Sequence, residues 1–285
     1  FTLSTVDNCC WIKGSIHLNN FISISSWVDD LSCFASNQPL LDEFEAQLAQ
    51  TYELTKDEKM EFIVGIHVEN DDDGIFIHQR QYVRTLLERF EFGDTVNDKN
   101  HQTPLPVSAK FTKILADGEL PLTASETTVY QSMVGGLLFI HTRPDIAYAV
   151  NQLCKFMHAP TTRHIGYARH TLKYLRNTID NGIHYSKRGD NILRSWCDAS
   201  YIDGDNGTST LGSYIELNGA PVYFKSKMSR LVCTSTCYSE YVAIYATTRV
   251  IVIIRRLLEE VEAHQPGPTI VHSDNQSAIE VATAT

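Results

Sequence analysis

Long apolar runs are absent from this chain of 285 residues: none reaches the roughly 18 residues that a membrane-spanning helix needs, so no membrane partner is expected. Neither an initiator methionine nor a basic leading stretch precedes Phe1, so no signal peptide is visible and the sequence is expected to be a piece of something longer. Cysteine is sparse and irregular. Seven of them, an odd number, argue for reduced thiols rather than a disulfide framework. Cys9 and Cys10 are adjacent, and Cys233 and Cys237 have no second pair at finger spacing, so no zinc site is supported. Positive charge is also short: 24 Lys and Arg face 34 Asp and Glu, for a net charge of −10. That balance argues against a general affinity for nucleic acid, and any such function must rest on local basic patches and bound metal.

What is present is an ordinary globular composition, 43% hydrophobic and 20% charged, with length enough for two domains and a smaller linking one. The chain is organised around Phe21–Ala35, where an alternating β-leaning run enters Asp29 and Asp30 and a second apolar run leaves them. Two neighbouring carboxylates at a strand-to-strand turn raise each other's pKa unless a cation neutralises them, and oxygen ligands of this kind suit Mg²⁺. The plain alternative is a solvated Asp-Asp turn. Asp7, in Ser4-Thr-Val-Asp7, reads as a structural turn acid.

Further along, Pro39–Gln50 reads as a helix capped by Asn37, with Leu40, Leu41, Phe44 and Leu48 as an apolar stripe. A strand is expected over Glu61–Glu69. The acidic loop Asn70–Gly74 lacks the spacing of a calcium loop and is expected to be a solvated hairpin turn into Ile75–His78. Gln79–Phe92 is helical by period, residues 93–129 are loop-rich and linker-like, and helices are expected from Tyr130, over Ala147–His158 after Pro144, and over Thr162–Asn177. In the last of these, Arg169, His170, Lys173 and Arg176 share one face, either a solvated cationic surface or a contact to a phosphate backbone.

The last hundred residues alternate strands with helices: strands at Ile192–Asp198, Gly212–Glu216 and Val222–Lys225, a helix from about Cys237 to His264, a strand at Thr269–Ser273 and a final helix start. Asn218-Gly219 is a strong hairpin-turn signal. In this α/β unit, Asp198 ends a strand, Glu240 lies in the first turn of the long helix and Asp274 ends a later strand. Acids at these element ends can converge on one sheet edge. Phosphodiester hydrolysis needs such convergence, because carboxylates must hold two Mg²⁺ ions about 4 Å apart.

Asp198, Glu240 and Asp274 in that order resemble a ribonuclease H, and Trp27-Val-Asp-Asp30 resembles the palm hairpin of reverse transcriptases. The whole chain resembles the reverse transcriptase and ribonuclease H region of a copia-type LTR retrotransposon Pol polyprotein. The landmarks run in order through Phe62-Ile-Val-Gly-Ile66, Gln79-Arg-Gln-Tyr-Val83, Thr103-Pro-Leu-Pro106, Tyr130–Leu138, Thr142-Arg-Pro-Asp-Ile146, Lys173–Thr178, Ser239-Glu-Tyr-Val-Ala243 and Ser273–Ile279.

The resemblance implies an α/β (α+β) chain in three parts: a partial palm over 1–98, a helical thumb- or connection-like segment over 99–188, and a ribonuclease H-like domain with a mixed sheet over 189–285. It implies Asp29 and Asp30 as polymerase acids and Asp198, Glu240 and Asp274 as nuclease acids, all five holding Mg²⁺ or Mn²⁺. Trp27, Arg169, Lys173, Arg176, Lys225 and Lys227 are the expected nucleic-acid contacts. The implied partners are an RNA template, an RNA–DNA hybrid, dNTPs and other parts of the Pol polyprotein, in the cytoplasm within a virus-like particle or in the nucleus. The family's palm also uses an Asp upstream of Phe1 and its nuclease a fourth acid beyond Thr285, so both sites are expected to be incomplete here. The competing expectation is a non-catalytic remnant that binds nucleic acid or a protein partner.

Overall fold

A computed structural model describes residues 1–57, 60–93, 101–112, 118–203 and 207–284. It is a mixed α/β structure built on three four-stranded sheets among the described residues. No described helix is long and apolar enough to cross a membrane.

The first sheet is an antiparallel meander of β1 (Thr2–Leu3), β2 (Cys10–Lys13), β3 (Ile22–Trp27) and β4 (Asp30–Ala35). Ile22 and Ile24 are buried, as the alternation requires, and Phe21 just before the strand is buried too. Asp7 behaves as a turn acid, its Oδ1 accepting from the Cys9 amide at 2.9 Å. Helix α1 (Gln38–Leu48) starts where expected, with the Asn37 side chain accepting from the Leu40 amide. Its apolar stripe is not buried in the core; Phe44 instead meets the Phe1 ring edge-on, centroids 5.7 Å apart.

The second sheet corrects one expectation. The strand expected over Glu61–Glu69 is broken into β5 (Phe62–Ile63) and β6 (Ile66–Asn70) by a two-residue turn. Val64 and Gly65 both have positive φ, 47° and 80°, the geometry that joins twisted antiparallel strands. The acidic loop then turns β6 into β7 (Gly74–His78), and the Asp71 carboxylate accepts from the amides of Asp73 and Gly74. β8 (Ile183–Ser186), far along the chain, completes this sheet beside β7.

Helices α2 (Arg80–Arg89), α3 (Ala124–Leu138), α4 (Ala147–Cys154) and α5 (Thr162–Asn177) enclose the largest core, which includes Val83, Leu86, Tyr130, Val134, Leu137, Leu153, Leu172 and Leu175. This core takes residues from both sides of position 98. Helix α3 begins six residues before Tyr130, because Thr123 and Glu126 form a reciprocal capping box. The described part of the 93–129 stretch is no free linker: Thr171 Oγ1 donates to the Pro104 carbonyl, Lys110 N–H donates to Tyr167, and Phe111 packs on the Tyr167 ring. The Thr142–Ile146 landmark is a buried clamp. Arg143 donates to Asp145 and to the Thr178 carbonyl and hydroxyl, while Tyr174 donates to Asp145 at 2.6 Å.

The third sheet has the order β11 (Ala220–Met228), β10 (Thr210–Leu217), β9 (Arg194–Ser200), β12 (Val271–His272), with β12 parallel to β9. Asn218 and Gly219, both at positive φ, make the expected β10–β11 turn. Helix α6 (Thr236–Glu260) lies over β9 and β10, and α7 (Gln276–Thr283) follows β12.

Candidate active site

β9 is the central strand of the third sheet, and burial alternates along it: Ser195, Cys197 and Ala199 are inside, while Asp198 is exposed. Cys197 and Ala199 pack with Val242 and Ala243 of α6, which fixes that helix over the strand. Ser235 caps α6 by accepting from the Tyr238 amide, so the helix starts at Thr236 and Glu240 falls in its second turn rather than its first. There Glu240 is 7% exposed. Asp274 arrives by register. Because His272 lies opposite Trp196 in the parallel pair, residues two further along, Asp274 and Asp198, emerge at the same edge. Asn275 then caps α7 through the Ala278 amide and closes the turn.

Asp198, Glu240 and Asp274 each offer one carboxylate oxygen, and these atoms lie within 4.8 Å of one another. The electrostatics are unfavourable without a cation. Burial, then the charges of Asp198 and Asp274, push the Glu240 carboxyl up to about 7, against an opposing hydrogen bond from the Ala199 amide. Glu240 Oε2 is buried without a hydrogen-bond partner. A divalent cation fits this donor set: three hard oxygen ligands, two of them on exposed residues, with one buried lone pair left unsatisfied. The neighbouring Cys197 thiol is not part of it. Burial first, then the three acids, push it up to about 11, and its Sγ points at the His272 carbonyl, 3.6 Å away.

The hairpin acids stand apart from this group. Asp30 opens β4 opposite Trp27, and Val28 and Asp29 form the two-residue turn, with Val28 at a φ of 57°. A β-branched residue in the left-handed region is strained, so the tip is held in an unfavourable conformation. Asp29 and Asp30 are exposed and belong to no ligand group of three among the described residues. Trp27 is 60% exposed beside them. Lys225 and Lys227 are exposed on the edge strand β11, flanking Ser226. Arg169, Lys173 and Arg176 sit on α5; Arg169, His170 and Lys173 line a groove with His101 and Pro106 on its other side, and Arg176 is outside that lining. Arg163 and Gly166 also line that groove; neither carries a motif, and only the packing of the 103–111 strap brings them there.

The chain is 29% identical over 282 residues to the retrovirus-related Pol polyprotein from transposon TNT 1-94 of Nicotiana tabacum, covering 97% of this chain and 21% of that one. It is 30% identical over 254 residues to the Pol polyprotein from transposon RE2 of Arabidopsis thaliana, covering 88% and 17%. It is 30% identical over 226 residues to a transposon Ty5-1 protein of Saccharomyces cerevisiae, covering 78% of this chain and 71% of that one. The chain belongs to the copia-type Pol polyproteins of transposons. It spans about a fifth of the length of the tobacco and Arabidopsis Pol polyproteins. No protein-family model and no solved structure matches it.

Proposed function

We propose that this Pol polyprotein region carries a metal-dependent nuclease centre at Asp198, Glu240 and Asp274 that hydrolyses the RNA strand of an RNA–DNA hybrid. The observation that carries the reading is the convergence of three carboxylates from a strand, a helix and a following strand, with one buried oxygen left unpartnered. Asp198 and Asp274, at the sheet edge, face solvent where a polymer can reach them; Glu240 approaches from below. Mg²⁺ or Mn²⁺ held there supplies charge neutralisation and Lewis acidity at the scissile phosphate. The chain's own residues orient and exclude: the Ala199 amide fixes the Glu240 carboxylate, Asn275 fixes the turn that carries Asp274, and the α6–β9 core shields the rear of the site.

In the same reading, Trp27–Asp30 is the palm hairpin of an RNA-directed DNA polymerase that copies an RNA template with dNTPs. The parts 1–98, 99–188 and 189–285 are then its partial palm, its connecting segment and its ribonuclease H-like domain, working with other parts of the polyprotein in a cytoplasmic virus-like particle or the nucleus. The test is cleavage of a labelled RNA–DNA hybrid in Mg²⁺. Asp198→Asn and Glu240→Gln are each expected to abolish cleavage while the circular dichroism spectrum stays native. Unchanged cleavage in both variants sinks the assignment of the nuclease to these acids; binding of the hybrid with no cleavage by the wild type leaves a non-catalytic binding role.

A further inference from the structure

We propose that His78 is a proton-operated cap: its neutral imidazole holds the first turn of α2 closed, and protonation of the ring releases that turn. The device lies apart from the three-acid centre and does not rest on the nuclease reading. Helix α2 opens without a hydroxyl or carboxamide cap. Its N-cap residue, Gln79, makes no side-chain capping bond, because that side chain is engaged elsewhere, donating to the Phe139 carbonyl at 3.0 Å and accepting from the His141 amide at 2.6 Å. The Arg80 amide, which has no partner inside the helix, donates instead to His78 Nδ1 at 3.2 Å. Nδ1 stands on the ring where Oδ1 stands in an asparagine, and a bond to the amide two residues on is the one an asparagine makes in an Asx-turn. His78 is 4% exposed, so water has little access to stand in for it.

The surroundings fix the tautomer. Nδ1 accepts, so the proton of the neutral ring is on Nε2, which donates to Glu69 Oε1 at 2.9 Å. A second proton can enter only at Nδ1. There it faces the Arg80 N–H, so the cap bond breaks as the ring becomes a cation. Glu69 on β6 favours that cation, while Arg80, 3.5 Å from the same carboxylate, and the positive end of α2 oppose it. His67 on β6 stacks on the ring with centroids 5.3 Å apart, and Phe76 flanks it at 5.4 Å. Farther out are His141 after α3, Asp180 paired with Arg80 at 2.9 Å, and His184 on β8 beside Asp71. The hydrogen bond from His78 first, and then the charge of Arg80, hold the Glu69 carboxyl below its ordinary range, so near neutrality the added proton goes to the ring. Because Glu69 keeps hold of Nε2, the backbone at Arg80 yields. Arg80 also ties β6 to Asp180, just ahead of β8, and α2 carries Val83, Leu86 and Leu87 into the largest core. The released turn is therefore the joint between the second sheet and the helices.

The experiment is nuclear magnetic resonance of the isotope-labelled whole chain, read at the ring nitrogens of His78 and at the Arg80 amide. At pH about 8 the ring is expected to show a bare Nδ1 and a protonated Nε2. Exchange protection of the Arg80 amide, corrected for its intrinsic rate, is expected to fall about fivefold between pH about 8 and pH about 5, the size of a typical lost cap. His78→Asn keeps an acceptor at the Nδ1 position and does not titrate, so it is expected to hold wild-type protection at both pH values. Glu69→Gln removes the charge that favours the cation and is expected to move the fall to lower pH. A protonated Nδ1 in the neutral ring, or equal Arg80 protection at both pH values in the wild type, overturns the proposal, and neither reading needs a variant. An Asn variant that loses protection with acid as the wild type does also overturns it, because the release then belongs to another group.

Discussion

Glu240 is placed where the metal-free fold gains nothing from its charge. Its folded-state pKa of about 7 lies above its ordinary 4.5, so the folded chain holds this proton more tightly than the unfolded chain does. Stability from this group is therefore full below pH about 4.5 and is lost as the pH rises through about 7. Thermal melts in EDTA are expected to show Glu240→Gln more stable than wild type at pH 8 and equal to it near pH 4. Mg²⁺ is expected to restore the wild type at pH 8 and to leave the variant where it was, because a cation that binds only the folded state stabilises it by mass action. Parallel stability curves for the two proteins across this range would contradict the arrangement. At this scale the sequence was informative about the acids themselves: Asp198, Glu240 and Asp274 stand at element ends, and strand register and helix packing carry them to one edge. It said little about their support. That the Ala199 amide holds Glu240, or that Arg143 is a buried clamp rather than a surface cation, depends on partners distant in the chain, and no local pattern encodes them.

Elements formed by local rules were legible, and those formed by distant contacts were not. Asn218-Gly219 yields its hairpin because both residues accept positive φ, and Asn37 caps α1 as its side chain allows. Thr123-Ala-Ser-Glu126 carries an equally local signal for the start of α3, masked by the loop residues around it. The pairing of β8 with β7 is different, since more than a hundred residues separate Gly74 from Ser186. The two strands approach so closely at Gly182 that an added Cβ would lie 2.4 Å from the Ile77 carbonyl oxygen. Backbone cannot yield there as a side-chain tip can. Gly182→Ala is therefore expected to cost about 1–3 kcal/mol, the range for overpacking, and to strip hydrogen-exchange protection from the Ile183–Ser186 amides. Unaltered protection in that strand would show that the close approach does not govern the pairing.

Across the whole molecule, the α/β class was readable from the alternation of periods, and the three-part division remains a functional proposal. The physical joints are what the sequence could not display. The helical core meets the third sheet through Lys155, which reaches Asp203 at 3.1 Å and Thr210 at 2.8 Å, with Gln152 donating to the same carboxylate. Both charged side chains are largely buried, at 10% and 15% exposure, so removing one strands the other. At the far end of α6, Glu260 accepts from Ser4 and Thr5, and Glu262 from Ser15 and Ile16, tying the first sheet to that helix. Lys155→Met is expected to lower stability by about 3 kcal/mol and to split one calorimetric transition into two, as the sheet unit and helical core uncouple. A single, unshifted transition would show that the joint carries no cooperativity.

The central claim is that the competent metal centre of this chain lies at Asp198, Glu240 and Asp274 rather than at the exposed hairpin acids. Electron paramagnetic resonance of Mn²⁺ titrated into the protein reads this directly, because bound and free ion give different signals. The account predicts tight binding by the wild type that disappears in Glu240→Gln and persists unchanged in Asp29→Asn/Asp30→Asn. Binding that survives loss of Glu240 and disappears with the hairpin acids would contradict it.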